Sequence, residues 1–243
     1  IAFLKDKGGN ENFHLFAVDI DGSNLKELTP FEEVRVGVVD DLEDNEEEML
    51  IQMNKRDPRA FDVYRININT GEYKMIAQNP GNVLGWVTDN DGNLRVATTS
   101  DGVNTSILYR DNEKQKFRTV LTTNFKETLN PLFFNFDNKL MYVSSNLDRD
   151  KEAIYKYDIA NNKLLDLIYE HPEVDVSRLM RSKKRKIITG VSYVTDKRHY
   201  HFFDEDRKML QETLESKLPG YEVVVVSSSK DENKVLVRTY SDK

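Results

Sequence analysis

One strand-and-turn pattern returns along this chain at a nearly constant spacing, and that period leaves few folds open. Each copy reads as an apolar-aromatic pair, alternating residues, a turn, and a second apolar run. The copies are "LFAVDIDGSNL" at Leu15 and Phe16, "VYRININTGEY" at Val63 and Tyr64, "LYRDNEKQKF" at Leu108 and Tyr109, "IYKYDIANNKL" at Ile154 and Tyr155, and the more divergent "HFFDEDRKML" at His201 and Phe202. Successive aromatic anchors Phe16, Tyr64, Tyr109, Tyr155 and Phe202 lie 48, 45, 46 and 47 residues apart. A fixed period in this range marks solenoids, propellers or arrays.

Side chains within a copy alternate with period two, which is the periodicity of strands and not of helices. Phe16, Val18 and Ile20 share a face, as do Tyr64, Ile66 and Ile68, and Tyr155, Tyr157 and Ile159. Turn residues separate the runs: Asp21-Gly22, Thr70-Gly71 and Asn161-Asn162. The clearest unit, residues 83–123, holds four strand candidates and three hairpin turns. The best helix candidate, "MLQETLESKL" at 209–218, falls in the fourth-strand slot of its repeat and is read there as strand, or strand then turn. Four antiparallel strands per period predict an all-β fold, a β-propeller of four-stranded blades. The expected blades are 1–32 (partial), 33–80, 81–125, 129–172, 174–218 and 220–243 (partial), so four complete and two partial blades make one propeller domain or fragment. A propeller closes to cover its edge strands. Either the chain closes on itself as five blades or it is cut from a larger propeller, and the second strand of the last fragment favours the cut.

The 243 residues suffice for a substantial core. A net charge of −7 argues against nucleic acid as the main partner. The absence of cysteine excludes disulfides and thiolate chemistry. No apolar run approaches the roughly 20 residues of a membrane-spanning helix. The start at Ile1, directly on the strand-like "IAFL", reads as an excised piece, so compartment is not legible from it.

The residues also carry a family resemblance. "GGNENFHLFAVDIDGSNLKELTPFEEVRV" at 8–36, "NKRDPRAFDVYRININTG" at 54–71 and "SKDENKVLVRTYSDK" at 229–243 resemble the N-terminal propeller of prolyl oligopeptidase-family serine peptidases, and best its bacterial dipeptidyl aminopeptidase and acylaminoacyl-peptidase-like branch. The segments "LTPF", "NKRDPR" and "DVYR" are the most specific. The resemblance implies a propeller of seven or eight blades that caps an α/β-hydrolase domain following it in the same parent chain. Peptides are then the substrates, the catalytic triad lies outside these residues, and no cofactor or metal is implied. It also favours a periplasmic or secreted location over a cytoplasmic one.

Each chemical motif has a plainer reading beside it. "GVSYV" at 190–194 matches four positions of the G-x-S-x-G nucleophile elbow, but Val194 closes it and no strand-to-helix turn follows, so Ser192 is not read as a nucleophile. His199 and His201 share a strand face, yet without cysteine or a spaced carboxylate they read as surface or satisfied histidines and not as metal ligands. The acidic turns 19–24 and 89–93 lack a full calcium ligand set and read as Asx-rich hairpin turns. "EDNEEE" at 43–48 reads as a solvated tip, and the family's paired glutamates are not carried onto it. "RSKKRK" at 181–186 reads as a solvated hairpin turn. The loop "NKRDPR", with Asn54, Lys55, Arg56, Asp57 and Arg59, has two readings. It is either a Pro-fixed turn with internal Arg-Asp pairs, or a contact to substrate carboxylate or partner domain through Arg56 or Arg59.

The function expected is that of a non-catalytic propeller capping a serine exo- or oligopeptidase and gating peptide access. The alternative is a free-standing binding or scaffold propeller of the periplasmic translocation type.

Overall fold

A computed structural model describes residues 1–241; the end of the expected 220–243 blade, residues 242–243, lies outside them. The described residues hold 20 strands and one helix. Two compact units divide at Phe125.

The first unit carries three sheets. β1 (Ala2–Lys5), β2 (His14–Ala17) and β3 (Lys26–Glu27) form a three-stranded sheet. β4 (Val36–Asp40), β5 (Glu48–Asp57), β6 (Ala60–Asn67) and β7 (Tyr73–Ala77) form a four-stranded meander, and so do β8 (Val83–Thr88), β9 (Leu94–Ser100), β10 (Thr105–Tyr109) and β11 (Arg118–Thr123). The second unit repeats the scheme. β12 (Leu129–Phe134), β13 (Met141–Ser145), β14 (Ala153–Asp158) and β15 (Lys163–Tyr169) make a four-stranded sheet. β16 (Arg178–Ser182), β17 (Ile187–Val194) and β18 (Arg198–Phe202) make a three-stranded one, and β19 (Glu222–Ser228) pairs with β20 (Val235–Tyr240). Sequential strands pair antiparallel throughout, as propeller blades do.

Tyr64, Tyr109, Tyr155 and Phe202 fall on the third strand of their sheets, β6, β10, β14 and β18, and Phe16 falls on β2, the middle strand of the first sheet. These strands bring apolar side chains into the packing between neighbouring sheets. Tyr64 and Ile66, with Ile68 beside them, join Leu15 and Leu28 of the preceding sheet in one core cluster with Val36, Ile51 and Met53. In the second unit Tyr142 and Ile154 cluster with Leu179 and Val191 of the following sheet. The alternation has one exception at the turns: Ile20, grouped with Phe16 and Val18, lies beyond the end of β2 and is exposed.

The fourth slot of the repeat 174–218 departs from expectation. Instead of a strand it holds α1 (Glu205–Lys217), so that repeat is a three-stranded sheet followed by a helix. The local chemistry is that of a helix start: Asp204 accepts from the Arg207 N–H at 2.9 Å, and Glu205 and Asp206 occupy the first turn. Gln211 is the buried residue of the helix.

Turns follow the Asx chemistry read from sequence. Asp101, between β9 and β10, accepts from the Asn104 N–H at 2.7 Å, from Asn104 Nδ2 at 2.9 Å and from the Val103 N–H at 2.9 Å. These bonds, Asn104 first, hold its carboxyl down to about 2. A folded value below the ordinary one near 4 means the turn's contribution is complete above about pH 4 and is lost as pH falls through about 2. Carbon-detected NMR titration of the carboxylates should therefore find Asp101 still ionised at pH 3.

Candidate functional site

The residues 54–59 occupy the end of a long hairpin. Asn54, Lys55, Arg56 and Asp57 lie in β5, Ala60 opens β6, and Pro58-Arg59 form the turn between them. The register shifts between Met53 and Asp57, a bulge that re-aims the side chains there.

Arg56 turns inward. Its Nε and Nη2 fork onto the buried Asp62 carboxylate at 2.7 and 3.0 Å, and Nη2 also donates to the Asn79 carbonyl at 2.8 Å. The Asn79 N–H returns to Asp62 at 2.7 Å. The Asp62 hydrogen bond raises the Arg56 guanidinium above its ordinary value. Lys55 sits over the rings of Phe31 (3.6 Å) and Tyr73 (4.8 Å) and donates to the Tyr73 hydroxyl. Asn54 accepts from the Arg35 N–H at 2.7 Å and donates to the Pro58 carbonyl at 3.2 Å. Three of the five candidates thus pin the hairpin to neighbouring segments. Arg59 is different: its side chain is 88% exposed and, among the described residues, meets Asp57 at 3.3 Å. That bond holds the Asp57 carboxyl below its usual range.

Ser192 lies in the middle of β17, buried, opposite Arg178 on one side and Tyr200 on the other. Its Oγ accepts from Arg198 Nη1 at 3.3 Å. A side chain in a sheet ladder is not on a strand-to-helix turn, so the elbow geometry is absent at this serine. Gly190 has another reason to be glycine: a Cβ there would stand 2.5 Å from the His201 carbonyl and 3.1 Å from the Phe202 Cα.

Three of the four histidines lie against tyrosine rings, and His14 pairs with Glu27. His201 lies 4.6 Å from the Tyr169 ring, and His171 and His199 lie 4.5 and 5.7 Å from Tyr193. Among the described residues no group of three or more His, Asp or Glu side chains is placed to hold a metal ion. Among the described residues no helix is long and apolar enough to cross a membrane. The acidic turns bond to themselves: Asp21 takes the Ser23 N–H and hydroxyl, and Asp89 takes the Asn93 N–H and pairs with Arg95 at 3.5 Å. In the 43–48 tip Asn45 accepts the Glu47 and Glu48 N–H groups, and Glu48 meets Arg65 at 3.6 Å. The basic turn 181–186 is also engaged. Arg185 forks onto Asp204 at 2.6 Å and reaches Asp206 at 3.0 Å, Arg181 covers the Phe133 ring, and Lys184 donates to the Asp231 carbonyl.

With that geometry in place, the comparisons with known proteins give a consistent answer. Over 90% of its length the chain is 27% identical to dipeptidyl aminopeptidase BIII of Pseudoxanthomonas mexicana, matching 32% of that protein. Over 99% of its length it is 24% identical to dipeptidyl peptidase family member 6 of Caenorhabditis elegans, matching 34%. Both of these curated proteins are named as dipeptidyl peptidases, and the chain is similar to them along most of its length. It spans about a third of the length of these curated relatives. No family model matches. Among solved structures, one from a study of two prolyl endopeptidases superposes with a TM-score of 0.64 at 10% identity, covering all of this chain and 41% of that one. TolB of Acinetobacter baumannii superposes at 0.58 with 16% identity, covering 83% and 48%. At such identities the superpositions speak for the fold.

Two substitutions test these assignments. Asp62→Ala leaves Arg56 and the Asn79 N–H without their acceptor and should lower the unfolding free energy by about 2–4 kcal/mol, while Arg59→Ala leaves the denaturant midpoint unchanged. Gly190→Ala should cost about 1–3 kcal/mol in the same urea titration, because backbone and not a flexible side-chain end stands in the way.

Proposed function

We propose that this chain is the propeller portion of a serine peptidase, seated over an α/β-hydrolase domain of the same parent chain. One observation carries the reading: four-stranded antiparallel meanders in a chain that matches, over 90% of its length, a third of a dipeptidyl aminopeptidase. Chemistry inside the chain agrees with it. The one serine in a near-elbow sequence sits buried in a ladder, three histidines lie against tyrosine rings and His14 pairs with Glu27. In this reading the propeller acts sterically, admitting short or unfolded peptides and excluding folded proteins. Arg59 then faces a carboxylate of the hydrolase domain or of a peptide, since a guanidinium forks well onto such a group and its partner among the described residues is a local aspartate.

The likeness to TolB favours a second reading, a free-standing scaffold propeller without a hydrolase partner. Assays on a dipeptidyl chromogenic substrate separate the two. The full-length protein is expected to turn it over, to keep that rate with Ser192→Ala, and to spare a folded protein that a propeller-deleted form attacks. Peptidase activity in residues 1–243 alone, or none in the full-length protein, overturns the proposal.

A further inference from the structure

The sheet of β8, β9, β10 and β11 carries three exposed apolar side chains at one of its ends. Leu84 is 70% exposed, Val103 64% and Phe125 75%. The ladder brings them to the same end. Val83 pairs with Thr99 at the start of β8, Thr105 pairs with both Ser100 and Thr123, and Val103 sits in the turn that joins β9 to β10. Phe125 stands two residues beyond the end of β11. The register shifts between Val83 and Gly85, so Leu84 is at a bulge, where a side chain is re-aimed. A strand spacing of about 4.8 Å puts β8 and β11 about 14 Å apart, with the Val103 turn between them.

The Arg59 turn belongs to this end as well. Val63 pairs with Ala77, so β7 finishes on the side of the β5–β6 turn, and residues 78–82 lead from there into β8. Asn79 fastens the two sheets: its N–H donates to Asp62 at 2.7 Å, and its side-chain oxygen accepts from the Gly81 and Val83 N–H groups at 2.8 and 3.1 Å. The one carboxylate of the 101–104 turn, Asp101, is engaged by the Val103 and Asn104 N–H groups. The opposite end differs in kind. There Leu42 of the β4–β5 tip lies against Gly92 of the β8–β9 turn, and the two turns carry Glu43, Asp44, Glu46, Glu47, Asp89 and Asp91. An exposed apolar group rimmed by polar residues marks a protein contact, and charged residues are depleted from the centre of such contacts.

We propose that this end of the two sheets, with Leu84, Val103 and Phe125 at its centre and Arg59 at its margin, is the surface on which the hydrolase domain of the parent chain docks. The proposal rests on the reading of the chain as the propeller portion of a serine peptidase. This chain matches 32% and 34% of its curated relatives, so the greater part of such a protein is available to cover the surface. An apolar end is the one that a linked domain covers at least cost, because no row of carboxylates has to leave water; the acidic end stays solvated.

Hydroxyl-radical footprinting of the full-length protein, read residue by residue and corrected for intrinsic reactivity, tests this. Loss of labelling is expected at Leu84, Val103 and Phe125. Ile20 and Leu25, 92% and 61% exposed, keep theirs, because Lys26 ties their turn to the Asn69 and Thr70 carbonyls at the opposite end. Val103→Glu lies in an exposed turn, puts a charge at the centre of the contact, and should restore labelling of Leu84 and Phe125 in folded protein. Turnover of a dipeptidyl chromogenic substrate by the same sample keeps this proposal separate from the reading beneath it. Full labelling of the three residues in an active peptidase overturns the docking surface alone, whereas a full-length protein without turnover overturns both. Protection that disappears on dilution gives the surface to a second copy of the chain, and protection indifferent to Val103→Glu places the contact elsewhere; either result overturns the proposal.

Discussion

Apolar burial on both faces of the inner strands of the four-stranded sheets is the constraint on which the rest of this structure depends. In β13 every residue from Met141 to Ser145 is buried, and in β5 the consecutive Met49, Leu50 and Ile51 are all shielded. Consecutive strand residues point to opposite faces, so a strand buried at every position is covered on both sides. Each fully buried Leu, Ile or Val contributes about 1.5–3 kcal/mol, which no single meander can collect alone because its strands cover nothing but each other's edges. Stacking one sheet on the next is how the two apolar faces are satisfied. The cluster that joins Leu15 and Leu28 to Tyr64 and Ile66 is that stacking seen in the first unit, and Ile154 with Val191 is its counterpart in the second.

Polar groups enter these seams only with partners, and the partners decide their meaning. Asp62, fully buried, receives two donors from Arg56 and one from Asn79, so the charge in the 54–59 hairpin is consumed in fastening β5 and β6 to the segment that leads into β8. Asp204 is used twice over, as the cap of α1 and as the acceptor of the Arg185 fork, which ties the 183–186 turn to the helix start. In each of these cases a cation has a carboxylate.

The fold was legible because its signal is periodic. Alternation, turn residues and a spacing near 46 residues all point to the same meander, and agreement between levels is what makes such a reading hold. The limits lie with particular residues. "MLQETLESKL" satisfies helix propensity and strand position at once, and the repeat argued for strand; Asp204 three residues before Arg207, a capping signal just upstream, was the cue that outweighed it. The internal Arg-Asp pairing of 54–59 was foreseen for Arg59 and Asp57, whereas Arg56 takes Asp62 across the bulge, a partner that only the register reveals. Tyr200 and Arg178 were invisible from sequence for the same reason: they stand 22 residues apart and meet through two ladder steps.

The helix in the fourth slot ties the last of these features together. A fourth strand beside β18 would have paired its outer edge and sent alternate side chains to each face of the blade. A helix presents no row of free N–H and C=O groups, so it shields the β18 edge without offering a template for further pairing. It also projects side chains radially and so brings two residues toward β18 and β19 that a strand would have separated: Arg207, over the Phe202 ring, and Gln211, whose amide donates to the Val223 carbonyl at 2.9 Å. Arg207 is thereby carried into a region already holding Arg178 and Arg198, and burial works against its charge.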